Sequence, residues 1–172
     1  NFLYYFGLDQ PDLAGVLDID ESKDYLFGND VEMDDIIWMG PQPSMKDRAL
    51  KVGVEHTMPL SELGAFIRKA LDGGRKVHLS PPYRGKTLIW LEELLGVHHS
   101  KVRDYVSEEL IRGIVKMRSI KDADEIREIE GAVDVAYEMH TTAMKLAKPG
   151  IREQEIVGAV EVISISYGGP VS

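Results

Sequence analysis

The strongest constraint on this chain is a helical period that starts at Asp122 and holds to Lys148. Ile126, Ile129, Val133, Tyr137, His140, Met144 and Ala147 recur at steps of three or four, the spacing that lays one stripe along an α-helix. Asp122 and Glu125 stand as a capping box does: the first carboxylate accepts orphan N–H bonds and the second reaches back to the cap. Lys148-Pro149-Gly150 halts the run, because proline can neither donate to the ladder nor fit beside the preceding turn. One helix of about 25 residues is predicted, against an average of about 11 or 12. A second amphipathic run carries Ile156, Val157, Val160 and Ile163 on one face and meets Gly168-Gly169 as its stop. Two long helices with no sheet to pack against make an unfinished domain, so their exposed apolar surface is expected to favour association.

Upstream the period changes. Phe2–Phe6 is aromatic and apolar, Ala14–Ile19 is apolar up to an acidic turn, and Lys23–Phe27 follows that turn, so the three read as consecutive strands. Ile36-Ile37-Trp38-Met39 is a further apolar run, stopped by Gly40-Pro41-Gln42-Pro43, so Trp38 is predicted at a strand or turn edge. An aromatic there can pack on its own core, or project to line an apolar site or a neighbouring subunit. From Leu60 the spacing is helical: Leu63, Phe66, Ile67, Ala70 and Leu71 share a face and Gly73-Gly74 can end the helix. A strand at Lys76–Leu79 and a helix over Tyr83–Leu95, stopped by Gly96, follow. The pattern predicts an α/β fold with a mixed sheet, giving way around Asp104–Ile120 to helix alone.

Composition removes several chemistries. There are no cysteines, which excludes disulfides, thiolate metal sites and cysteine nucleophiles and favours a reducing compartment. The 20 basic against 29 acidic residues, a net charge of -9, provide no basic stripe for a phosphate backbone, so no nucleic-acid partner is expected. Apolar stretches break within about ten residues, short of the roughly 20 needed to span a bilayer, so no membrane partner is expected either. There is no initiator Met and no signal peptide, and both ends are expected to be cut from something longer.

No complete catalytic set is present in the sequence. His98-His99 are adjacent, would point in different directions on any regular element, and read as solvent-facing turn residues, as do the isolated His56 and His78. His140 lies in the apolar stripe and reads as a partly buried, hydrogen-bonded histidine. Glu125, Glu128 and Glu130 read as solvated helix-surface carboxylates. There is no G-x-S-x-G elbow, no P-loop and no G-x-G-x-x-G.

Four segments, in order, resemble one family. Asn1–Leu8, followed by Asp9-Gln10-Pro11, is similar to the "YYLTGF" and "xEP" segments of the creatinase, prolidase and aminopeptidase P family. Asp35–Gly40 resembles its "E-I-W-F/M-G". Arg118–Ile126 resembles "R-x-x-K-S-P-E-E-I", with Asp122 in place of the capping Ser and Ala123 in place of the first-turn Pro, exchanges those positions accept. Met139–Met144 with Lys148-Pro149-Gly150 and Glu153–Glu155 resembles "A-H-x-x-A-M…R-P-G-x-x-E-x-E".

The resemblance implies an N-terminal α/β domain over residues 1–105, a linker helix region over 106–121 and the first helices of a pita-bread peptidase domain over 122–172. It implies hydrolysis of the N-terminal Xaa-Pro peptide bond by two divalent metal ions, commonly manganese, whose ligands fall after Ser172; no metal and no catalytic residue are expected within the chain itself. Trp38 is the one residue carried over as substrate-binding, since the tryptophan of this motif projects toward a neighbouring subunit's site. Proline-containing peptides, a homo-oligomer (dimer or tetramer) and a cytoplasmic location follow from the same resemblance. Prolidase is a near alternative. A pita-bread homologue that has lost its metals and serves as a binding module is an alternative of another class.

Overall fold

A computed structural model of the chain describes residues 1–169, so Pro170–Ser172 lie outside the described residues. It forms two compact units, one of residues 1–111 and one from residue 112 onward. In element order the chain is α1 (Phe2–Phe6), β1 (Ala14–Asp18), β2 (Lys23–Phe27), α2 (Met33–Met39), α3 (Met45–Lys51), β3 (His56–Met58), α4 (Leu63–Asp72), α5 (Gly85–Leu95), α6 (Glu108–Ser119), α7 (Ala123–Leu146) and α8 (Glu153–Ser166). A 3₁₀ turn at Leu60–Glu62 precedes α4, and another at His99–Tyr105 precedes α6.

The first unit is built on a mixed three-stranded sheet of order β1-β2-β3. β1 and β2 form the expected antiparallel hairpin, from Ala14↔Phe27 to Asp18↔Lys23. β2 and β3 run parallel, Tyr25↔His56 to Phe27↔Met58, with α2 and α3 in the connection between them. Successive residues of a strand face opposite sides of a sheet, and β2 uses this to serve two cores. Phe27 enters a cluster with Leu63 and Ile67 of α4, Leu91 and Leu95 of α5 and Val102. Leu26 enters a second cluster with Phe6 of α1, Ala49 of α3 and Val54. Both side chains are fully buried, so the C-terminal end of the middle strand is covered on both faces, as its apolar Tyr25-Leu26-Phe27 run requires, while Lys23 and Asp24 at its start are exposed.

At the turn end of the hairpin, Arg75, just past the Gly73-Gly74 end of α4, donates to both oxygens of the buried Asp18, with 2.9 Å from Nη1 to Oδ2, and through Nε to Asp20 at 2.8 Å. This charge-assisted fork fixes the hairpin against the helix. It holds the Asp18 carboxyl below its ordinary value and raises Arg75 above its own.

Three predicted strands are not strands. Phe2–Phe6 is the helix α1: Phe2 and Phe6, four apart, stack with ring centroids 5.1 Å apart, and Gly7 closes the turn at φ 64°, its N–H donating to Leu3 O. Ile36–Met39 is the C-terminal half of α2, treated below. Lys76–Leu79 contributes a single parallel bridge, Leu79↔Val106.

The second unit contains α7 and α8, which pack on each other. The capping box forms as expected: Asp124 and Glu125 N–H donate to Asp122 Oδ1 at 2.9 and 2.8 Å, and Asp122 N–H donates to Glu125 Oε2 at 3.0 Å. Tyr167 donates to Glu138 across the pair at 3.0 Å. The predicted stripe is not the packed one. Ile126, Ile129, Val133, Tyr137 and Met144 are exposed, and so is His140, which the stripe had placed as partly buried. The half-buried apolar residues are Val135, Ala136, Met139, Ala143 and Leu146. A long helix with apolar residues around much of its girth offers two faces, and α8 packs on one of them.

Candidate functional site

Trp38 stands on α2, not on a strand edge. Asp34 and Asp35 lie in the first turn of this helix, where carboxylates favour the positive end of the backbone dipole. Gly40 ends it at φ 73° and ψ 175°, its N–H donating to Ile36 O at 2.8 Å. That backbone region is open to glycine almost alone. Gln42 then donates from Nε2 to Met39 O at 3.1 Å, and Ser44 caps α3 by accepting from Asp47 N–H at 3.1 Å. The Ser44 hydroxyl also donates to Asp47 and holds that carboxyl below the ordinary range.

The helix so held turns its apolar side chains outward. Met33, Ile37 and Met39 are exposed and Trp38 is 88% exposed, while Ile36 alone of the apolar set is half-buried. Of the two readings open to Trp38, packing on its own core is therefore not what the structure shows. It projects, carrying a large apolar surface with one N–H donor at its edge.

Beside this helix lies an open cleft of about 390 Å³ lined by the Gln10–Leu13 and Asn29–Val31 loops, Asp35 and Met39 of α2, Gln42, Arg48 and Leu60. Side chains tie its walls together: Asp30 accepts from Met45 N–H at 2.5 Å, Asn29 from Leu60 N–H at 3.1 Å, and Gln10 from Arg48 Nη1 at 2.8 Å. Arg48 Nε is buried with no protein acceptor. Gln10, Asp35, Met39 and Gln42 fall in segments singled out from the sequence, whereas Asn29, Asp30 and Arg48 drew no attention there. The available signal was the Asn29-Asp30 pair just past a strand, since such side chains satisfy backbone N–H groups of loops and helix starts.

The histidines do not gather at this site. His56 and His78 are exposed, as predicted, but His56 stands on β3 rather than in a turn and stacks on Tyr25 of the paired strand, ring centroids 5.1 Å apart. His98 and His99 are exposed too, but instead of pointing apart their ring centroids are 3.9 Å from each other, because His98 caps the 3₁₀ turn that His99 opens. His99 Nδ1 sits 2.9 Å from Glu92, whose carboxyl this contact lowers. Among the described residues no group of three or more His, Asp or Glu could hold a metal ion, and no helix is long and apolar enough to cross a membrane.

Comparison with known proteins bears on the same segments. Residues 1–79 match the family model "Aminopeptidase P, N-terminal domain". A "Probable Xaa-Pro aminopeptidase" of Aspergillus terreus is 25% identical over 170 residues, 97% of this chain and 34% of that protein. One of Penicillium rubens is 25% identical over 174 residues, 97% of this chain and 32% of that protein. The chain thus spans about a third of the length of the curated relatives it matches. Among solved structures, the low-pH form of Escherichia coli aminopeptidase P aligns with a TM-score of 0.74 at 21% identity, over 97% of this chain and 40% of that one. The zinc-substituted enzyme in complex with product aligns with a TM-score of 0.74 at 22% identity, with the same coverage. The mixed sheet flanked by helices is the fold of those proteins, and residues 1–79 are similar in sequence to the aminopeptidase P N-terminal domain.

Proposed function

We propose that this chain is the N-terminal portion of a metal-dependent Xaa-Pro aminopeptidase, an enzyme that removes the residue before a proline at a peptide's amino terminus. The observation that carries the reading is the extent of the match: Xaa-Pro aminopeptidases align with 97% of the chain, across both its units. The tertiary amide of an X–Pro bond differs from other peptide bonds, which gives a dedicated enzyme its purpose. Residues 1–105 are assigned to the N-terminal domain, 106–121 to the linker region and 122–172 to the first helices of the peptidase domain. The parent's location is assigned to the cytoplasm.

Two divalent ions, assigned as manganese, would supply the activated hydroxide in such an enzyme. The described residues do not suit them, so the ions are assigned to the part of the protein beyond this third of its relatives' length, and no step through them is derived. What this chain contributes is shape. Trp38, projecting from α2 and anchored by the Gly40 turn, is assigned as a substrate-binding wall that excludes water and packs on the apolar proline ring, acting on a neighbouring subunit's site in a homo-oligomer.

The test is the full-length protein assayed on Xaa-Pro peptides of increasing length with manganese and with chelator. Manganese-dependent release of the first residue is expected. Cleavage of Xaa-Pro dipeptides alone would assign the protein to prolidases, and binding without turnover would make it a non-catalytic homologue. Trp38→Ala is expected to raise KM about tenfold or more, the loss that follows when a buried aromatic contact worth 1.4 kcal/mol or more is removed, while leaving the thermal midpoint unchanged.

A further inference from the structure

The cleft beside α2 has a chemistry of its own. Pro11, Leu13, Val31, Met39 and Leu60 give it apolar walls. Three carboxamides in it each use one end on the protein. Gln10 and Asn29 accept through their side-chain oxygens, from Arg48 and from Leu60 N–H, which leaves their amide N–H groups. Gln42 donates to Met39 O, which leaves its carbonyl. Donors and acceptors spread over an apolar trough are what an extended peptide backbone can use, since it presents both along its length.

Charge narrows the occupant further. Asp12, Asp30 and Asp35 face the cleft against the single cation Arg48. Asp30 is engaged at the start of α3 and Arg48 is held by Gln10. Asp12 and Asp35 are exposed and make no ion pair among the described residues. A free phosphate or a peptide carboxylate meets an excess of like charge there. A lysine or arginine side chain meets apolar walls for its stem and two carboxylates for its head, the division of labour such side chains use at surfaces.

We infer that this cleft binds an extended peptide segment bearing a basic side chain, whose charged group faces Asp12 and Asp35 at the rim, away from Arg48. The inference rests on the proposed function, and assigns to the cleft the stretch of substrate beyond the Xaa-Pro bond.

The experiment titrates the chain with Ala-Pro-Ala-Lys-Ala and with the same peptide carrying norleucine for lysine, by calorimetry and by amide chemical shifts. Two rim ion pairs predict about three- to tenfold tighter binding of the lysine peptide. The difference should shrink with added salt and vanish in Asp12→Asn/Asp35→Asn, whose surface positions leave the fold intact by the amide spectrum. Shifts should centre on residues 10–13, 29–35, 42 and 48. Absence of binding, equal affinities, or a lysine preference that survives the double substitution overturns the inference. Failure of the proposed function reads differently. A full-length protein that cannot hydrolyse Xaa-Pro peptides while the chain keeps its lysine preference removes the enzyme and retains the cleft; hydrolysis indifferent to lysine or norleucine retains the enzyme and removes the cleft.

Discussion

Gly15 offers the sharpest single test of how the first unit is packed. A Cβ built on it would lie 2.1, 2.3 and 2.7 Å from Cε2, Cζ and Cδ2 of Phe6, a ring only 6% exposed. Carbon atoms pack at about 3.5–4.0 Å, so Gly15→Ala obliges that ring to retreat by roughly 1.5 Å. Strain of this kind in a packed core costs about 1–3 kcal/mol. The upper bound is eviction of the ring, about 3–5 kcal/mol for losing a buried phenylalanine. Gly15 is not among the glycines with positive φ, so no backbone penalty confuses the result. Once Phe6 is itself alanine the space is free, and Gly15→Ala should then be neutral or stabilising by about 0.4–1 kcal/mol, through the entropy of the unfolded chain. The assay is a double-mutant cycle of Gly15→Ala and Phe6→Ala by urea denaturation, with a coupling energy of about 1–3 kcal/mol expected. Additive costs, or a Gly15→Ala variant as stable as the parent, would refute the placement of α1 against β1.

Gly40→Ala meets no neighbouring atom but demands φ 73° with ψ 175°, a strain of order 1–3 kcal/mol; the turn should give way and alter Trp38 fluorescence while near-global stability changes by less than that. Asp18 titrates below its ordinary 3.8 because of Arg75, so the clamp's stabilisation is complete above that pH and is lost as pH falls through the lower folded value; urea midpoints should drop on acidification below pH 3.8, and Asp18→Asn should flatten that drop. Asp122→Ala removes an acceptor of two N–H groups and should cost about 1 kcal/mol, read as faster hydrogen exchange in the first turn of α7.

Legibility in the sequence followed the number of residues in each signal. The long period from Asp122 and the capping box were readable because many positions agree and because the cap is a local exchange of hydrogen bonds, independent of tertiary context. The β1–β2 hairpin was readable from two short runs with a turn between them. Phe2–Phe6 and Ile36–Met39 were not: in five residues a buried strand and a single helical turn place apolar side chains alike. What decides Phe2–Phe6 is the contact of Phe6 with the second core and the left-handed Gly7, and what decides Ile36–Met39 is a start at Met33, before the apolar run begins. The choice of which α7 face packs was illegible because that helix has two apolar faces, and the partner settles the matter.

The same reasoning explains why the display of Trp38 can be separated from folding. Burial of Met33, Ile37, Trp38 and Met39 would each be worth roughly 1.5–3 kcal/mol, yet all four are exposed, so they add little to the stability of the first unit. α2 is kept in place by polar tethers instead: Gln42 on Met39 O, Asp30 on Met45 N–H, and the backbone turn at Gly40. Those tethers also build the cleft. A helix with little apolar contribution to the fold, held by the residues that shape a neighbouring trough, has its sequence free to answer to whatever it touches. Substitutions on its outer face should therefore change binding with little effect on stability, whereas substitutions in its tethers should change both.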